Sequence, residues 1–181
     1  MTPKEQGYYM PAEWARHEAT WLTYPKNPDS WPGKIETIYP SYHLFVKTLA
    51  ECEHVHINVD DESMLQHVKA ELEAIDADMC NIFLHIIPSN DAWCRDHGPA
   101  FLLNHNDPKA RAIVNWNHNA WGGKYPYELD GRLTELPVTG SGMLVDSGAV
   151  WVSMIVEGIL IRVPLMSHWA LPKSSEMSKG P

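Results

Sequence analysis

The order in which apolar residues change their period constrains this chain most. Glu18–Tyr24 is rich in aromatic and β-branched residues and stops at Pro25, as a strand would. Tyr42, Phe45, Val46 and Leu49 then recur at helical spacing, with Pro40 suited to a first turn. His54–Val59 alternates, placing Val55, Ile57 and Val59 on one face and His54, His56 and Asn58 on the other. Past Asp60-Asp61 a second helical stripe runs through Met64, Leu65, Val68, Leu72 and Ile75, and the apolar run Ile82–Ile87 follows. Strand, helix, strand, helix, strand predicts an α/β fold. Further strands are predicted at Phe101–Leu103, Arg111–Trp116, Met143–Val152 and Ile155–Val163. Met1–Arg16 reads as a polar arm and Lys26–Gly33 as a loop carrying an exposed Trp31. Glu128–Leu136 is too short, and too broken by Gly131, for a third helix. Residues 1–163 read as one domain and 164–181, which have no periodicity, as an unstructured tail.

The chemistry concentrates between two apolar runs, at residues 88–99 (Pro-Ser-Asn-Asp-Ala-Trp-Cys-Arg-Asp-His-Gly-Pro). A connection between buried strands is usually Gly, Asn or Ser with little else. Here Asp91, Trp93, Cys94, Arg95, Asp96 and His97 crowd together, which reads as the lip of a site. Asp91, Asp96 and His97 fit acid/base groups or carboxylates gripping a cation. The plainer alternative pairs Arg95 with one of the carboxylates in a structural loop. Cys94 fits a nucleophile activated by a nearby His, or, preferably, a small buried filler.

Composition narrows the partners. The net charge of −9 disfavours nucleic acid; it suits a small cationic ligand, though taken alone it reads first as an aid to solubility. Eight tryptophans supply indole faces for a cation as well as core volume. No apolar run reaches the length of a membrane span. Three cysteines, Cys52, Cys80 and Cys94, cannot all pair, so reduced thiols and a cytoplasmic setting are expected. His54 and His56 share a strand face but lack further ligands at metal-binding spacing, so no metal is expected. Trp121-Gly122-Gly123-Lys124 reads as a close-approach loop or an ordinary glycine turn; its spacing is not that of a phosphate-binding loop.

Taken together, five stretches resemble the agmatine deiminase family, whose relatives include the bacterial peptidyl-arginine deiminases. They are Met10-Pro11-Ala12-Glu13-Trp14, His17-Glu18-Ala19-Thr20-Trp21-Leu22, Trp31-Pro32-Gly33-Lys34, Asn90 through Pro99, and Asn119-Ala120-Trp121-Gly122-Gly123-Lys124-Tyr125, in the family's order. Several motifs in register are far more specific than one. The resemblance implies a pseudo-symmetric α/β propeller of ββαβ-type units. It also implies cofactor-free hydrolysis of a guanidinium group, in which a cysteine thiolate attacks the carbon and ammonia leaves. Agmatine is the first-choice substrate, with N-carbamoylputrescine as product, and free or peptidyl arginine the alternatives. By resemblance Asp96 is a guanidinium-binding carboxylate, Trp93 lines the substrate channel, and Trp121, Gly122 and Gly123 stand at its mouth.

The resemblance weakens after Gly131. The family's next helix is missing between Asp130 and Leu136, and Asp146 stands as a shortened substitute for the second guanidinium-binding carboxylate. The family's Gly-His-Val-Asp stretch and C-terminal nucleophilic cysteine have no counterpart. The expectation is therefore the N-terminal part of a deiminase-type propeller, incomplete at the C-terminus and without catalysis of its own, putrescine-forming by ancestry. It would be completed by homo-oligomerisation or by a missing C-terminal half. A non-catalytic binding module, and a complete enzyme using Cys94, are the alternatives.

Overall fold

The computed structural model describes residues 2–12, 14–114, 118–130, 149–152, 154–156 and 159–161, with His17 and all residues from 149 onward described by backbone alone. At its centre two consecutive βαβ units share one parallel sheet. Strand β1 spans Tyr8–Tyr9, β2 His17–Thr23, helix α1 Ile35–Ala50, β3 His54–Val59, α2 Glu62–Ala74 and β4 Ile82–Ile86. A short helical turn α3 (Cys94–His97), β5 (Ala100–Asn104), β6 (Arg111–Val114), β7 (Ala149–Val152), β8 (Met154–Val156) and β9 (Ile159–Ile161) follow. The parallel sheet has the order β4-β3-β2-β7, an antiparallel sheet the order β1-β5-β6, and β8 pairs with β9. The α/β class holds.

Burial explains why these segments take these forms. Val55, Ile57 and Val59 of β3 point at the helices, where Val46, Leu49, Val68 and Leu72 close over them as one cluster. Each such side chain contributes roughly 1.5–3 kcal/mol when fully withdrawn from water. Asp61 caps α2 by accepting the Met64 amide at 2.8 Å. The same helix ends with Ala77 N–H on the Leu72 carbonyl and Asp76 N–H on that of Glu73, with Asp76 left-handed at φ 56°. Lys47 of α1 donates to the Ile75 carbonyl at 2.6 Å, and Asn81 to that of Ala50 at 2.9 Å, so each helix end finds a partner on a neighbouring segment.

The opposite face of the sheet is polar and aromatic. Trp21 Nε1 donates to Asn58 Oδ1 at 3.0 Å, and Asn58 Nδ2 donates to Thr23 Oγ1 at 3.3 Å. The rings of Trp21, His56 and His85 stack on one another, with Phe83 against His56. His56 Nδ1 and His85 Nε2 share one hydrogen bond at 2.8 Å. One nitrogen must stay unprotonated to accept it, so at least the accepting ring is neutral.

Several sequence expectations need correction. The arm is not free: Tyr8 and Tyr9 pair with Asn104 and Leu103 of β5. Trp31 is half-buried, its ring 5.4 Å from that of Trp93, because the loop folds back onto residues 88–99. Pro40 lies inside α1 rather than in its first turn, since the helix already begins at Ile35. The Glu36 carbonyl thereby loses its amide partner, on an exposed side where water substitutes. Ile155–Val163 is broken into β8 and β9, which pair antiparallel. The tail 164–181 lies outside the described residues.

Two outcomes follow from this packing. Leu72→Ala, which empties a site of 0 % exposure, is expected to cost about 2–5 kcal/mol in urea unfolding. Burial first, then the neighbouring His85 and His54, lowers the His56 pKa from 6.5 to about 4, and burial lowers that of His85. The unfolded chain therefore binds more protons than the folded one between those values. Stability from this pair is complete above about pH 6.5 and is lost as pH falls toward about 4. Urea midpoints across that range should fall, and should fall less in His56→Gln; equal slopes would refute the assignment.

Candidate active-site cleft

Three of the loops of interest leave from the carboxyl ends of β2, β3 and β4, where ligands bind in open parallel sheets. A cleft of about 840 Å³ opens there, lined by Lys26, Asn27, Asp29 and Ser30 after β2 and by Asn90, Asp91, Trp93 and Asp96 after β4. His118, Trp121, Tyr125 and Asp130, beyond β6, form the remaining wall.

Carboxylates hold the loops together. Asp60, just past β3, accepts from Lys26 and from the Ser89 amide, the latter at 3.2 Å. Asp91 accepts from Asn27 Nδ2 at 3.1 Å, from the Ser30 hydroxyl, and from the Ala92 amide at 2.7 Å. Asp130 Oδ1 accepts the Asn90 amide at 2.6 Å and the Asp91 amide at 3.3 Å. Asp91, one of the candidate acid/base or cation-gripping groups, lines the cleft and uses both oxygens to hold these donors.

Asp96 has a different setting. The α3 turn, tied by Gly98 N–H on the Cys94 carbonyl at 2.6 Å, turns Cys94 and His97 inward and leaves Asp96 lining the cleft. Burial raises the Asp96 pKa, against the opposing pull of Arg95, of His118 and of a hydrogen bond from the Trp121 side chain. Burial likewise raises that of Asp130. His97 is 1 % exposed, and burial, then His118, lowers its pKa to about 3. It is a neutral ring behind the wall, not an acid/base group facing the cavity.

The aromatic wall rests on an unusual turn. Ala120, Trp121, Gly122 and Gly123 all take left-handed backbone, with φ of 50°, 55°, 91° and 74°. For Ala120 and Trp121 this costs roughly 1–2 kcal/mol each. Asn119 steadies the turn by accepting the Gly122 amide at 3.1 Å, and Trp121 packs edge-on against His118 and Tyr125. The structure thus brings Asp96, Trp93 and Trp121 to one cleft. Gly122 and Gly123 are not among its lining residues; they supply the backbone bend that presents Trp121. Asp146 lies outside the described residues. Asn27, Ser30, His118 and Asp130 were not singled out from sequence, because isolated polar residues in loops carry no periodic signal. The WGGK stretch beside His118 was the nearest available cue.

Among the described residues no cluster of three His, Cys, Asp or Glu could hold a metal ion. None of their helices is long and apolar enough to cross a membrane.

A family model described as Porphyromonas-type peptidyl-arginine deiminase matches residues 9–162. The chain belongs to the agmatine deiminase and peptidyl-arginine deiminase family. It is 37% identical over 123 residues to an agmatine deiminase of Stutzerimonas stutzeri, covering 68% of this chain and 31% of that one. Against an agmatine deiminase of Ectopseudomonas mendocina the identity is 32% over 173 residues, covering 88% and 44%. The solved agmatine deiminase of Enterococcus faecalis superposes with a TM-score of 0.61 at 28% identity, over 73% of this chain and 35% of that one. The chain spans less than half the length of these curated deiminases.

The cysteine of this deiminase-family cleft region is not poised for attack. Cys94 is 1 % exposed, its Sγ lies 3.5 Å from the Trp21 carbonyl, and burial pushes its pKa up to about 12. A thiolate is the reactive form, so this thiol is inert. Iodoacetamide should label the exposed Cys52 and Cys80 in the folded chain and reach Cys94 only after denaturation. Rapid native labelling of Cys94 would overturn this.

Proposed function

We propose that this chain builds the guanidinium-binding wall of an agmatine deiminase-type hydrolase. The observation that carries the reading is Asp96, a carboxylate lining the cleft together with Trp93 and Trp121. A guanidinium is planar, and its forked N–H groups match the two oxygens of a carboxylate. Flanking indoles desolvate the cation and offer their faces to it. Asp91 and Asp130 accept from loop donors, so Asp96 is the natural carboxylate for the ligand.

In this reading residues 1–163 are part of a propeller of ββαβ-type units, acting in the cytoplasm on a small guanidino substrate, agmatine first. Asp146 joins Asp96 as the second carboxylate. Hydrolysis would need a thiolate to attack the guanidinium carbon and a histidine to serve the departing ammonia. Cys94 is too buried for the first role and His97 for the second. The chain alone therefore binds without turning over, and catalysis requires groups from a C-terminal half or a second copy.

Calorimetric titration of the 181-residue chain with agmatine tests this. Binding should weaken about tenfold to a hundredfold in Asp96→Asn, the loss of one charge-assisted interaction. Ammonia should not be released. Equal binding by Asp96→Asn would remove the site, and ammonia release abolished in Cys94→Ala would make this chain a complete enzyme. Preference for a blocked arginine amide over agmatine would favour the peptidyl-arginine reading.

A further inference from the structure

Asp130 lines the cleft, yet it is only 3 % exposed and its Oδ1 is turned to the protein. That oxygen takes the amides of Asn90 at 2.6 Å and Asp91 at 3.3 Å, across 40 and 39 residues of sequence. The contact is reciprocated: the Leu129 amide donates to Asn90 Oδ1 at 2.8 Å. Asp130 is itself fixed by its own amide on the Tyr127 carbonyl at 3.0 Å. On the far side, His97 Nε2 stands 3.9 Å from the same Oδ1. Asp130 thus touches the chain on both sides of Asp96, at residues 90–91 before it and at residue 97 directly after it.

We propose that Asp130 is the positioning residue for Asp96: its carboxylate clamps the Asn90 and Asp91 amides against His97 and so sets where Asp96 meets a bound cation. The inference rests on the reading of Asp96 as the cation-binding group. It gives Asp130 a task other than ligand contact. Two amide donors on one buried oxygen form a charge-assisted clamp, beside the hydrogen bond that the Trp121 side chain makes to Asp96 on the same wall. The Asp91 bonds to Asn27 and Ser30 fix the loop to the opposite wall, so removing Asp130 releases one side only.

Positioning and direct ligand contact give different outcomes with an isosteric change. In Asp130→Asn the side-chain oxygen still accepts the same amides but the charge is gone. In Asp130→Ala the clamp is gone as well. Two readouts are needed on the full chain: hydrogen exchange at the Asn90 and Leu129 amides, and agmatine affinity by calorimetry. Asp130→Ala should speed exchange at both amides and weaken agmatine by about tenfold, the effect of losing a charge-assisted hydrogen bond. Asp130→Asn should restore slow exchange and most of the affinity. Should Asp130→Ala fail to fold, Asn90→Ala removes only the returning bond, and should speed exchange at Leu129 while weakening agmatine by a smaller factor.

Asp130→Asn binding as poorly as Asp130→Ala, with slow exchange kept, would overturn the proposal and make Asp130 a ligand-contacting charge. So would wild-type affinity in Asp130→Ala, or in Asn90→Ala where that variant replaces it. Failure of the underlying reading looks different: agmatine would bind Asp96→Asn as well as wild type, or not bind at all, while the exchange pattern of the clamp stood.

Discussion

Strand β3 has a parallel partner on each side and a helix layer over its apolar face, and the cleft depends on that arrangement. Val55 and Ile57 are 0 % exposed, and the β2 and β4 registers are both written against them: Thr20 and Ile82 face Val55, Leu22 and Leu84 face Ile57. A one-residue slip would exchange these side chains for His54, His56 and Asn58 on the other face. Burial therefore fixes the height at which each strand ends, and with it the points from which the cleft loops start.

The loops then solve an electrostatic problem in several local ways. A buried carboxylate is costly unless its charge is matched by donors or a cation. Asp60 has Lys26 and an amide, Asp91 has a side-chain amide, a hydroxyl and a backbone amide, and Asp130 has two backbone amides. Asp96 is balanced chiefly by Arg95 and His118 at a distance and by the Trp121 side chain, which burial outweighs. The acidity of the chain is thus unevenly spent, most of it in the cleft going to internal structure and the remainder facing the cavity.

What could be read from the residues was what repeats locally. The 3.6-residue stripes of α1 and α2 and the alternation of β3 concern neighbours a few positions apart, and they located the core. The 88–99 stretch was readable because so many polar and aromatic groups sit between two apolar runs. Tyr8 and Tyr9 were not, because a two-residue strand has no period and its partner lies at Asn104 and Leu103. The start of α1 was hidden because Lys34 offers no capping side chain and Pro40, inside the helix, reads as a helix start. The structural use of Asp91, the burial of Trp31 against Trp93 and the clamp at Asp130 all depend on partners distant in sequence, which no local pattern encodes.

The strand order also sets a sequence of events during synthesis. β2, α1, β3, α2 and β4 are consecutive, so residues 17–86 can assemble through short-range closures as they emerge. The fourth strand is different: β7 must return to lie beside β2, pairing Ala149 with His17 across more than half the chain. Loop-closure entropy makes that docking a late step. Until then β2 presents an unpaired edge, a site where a nascent chain is open to chaperone capture or to mispairing with another copy.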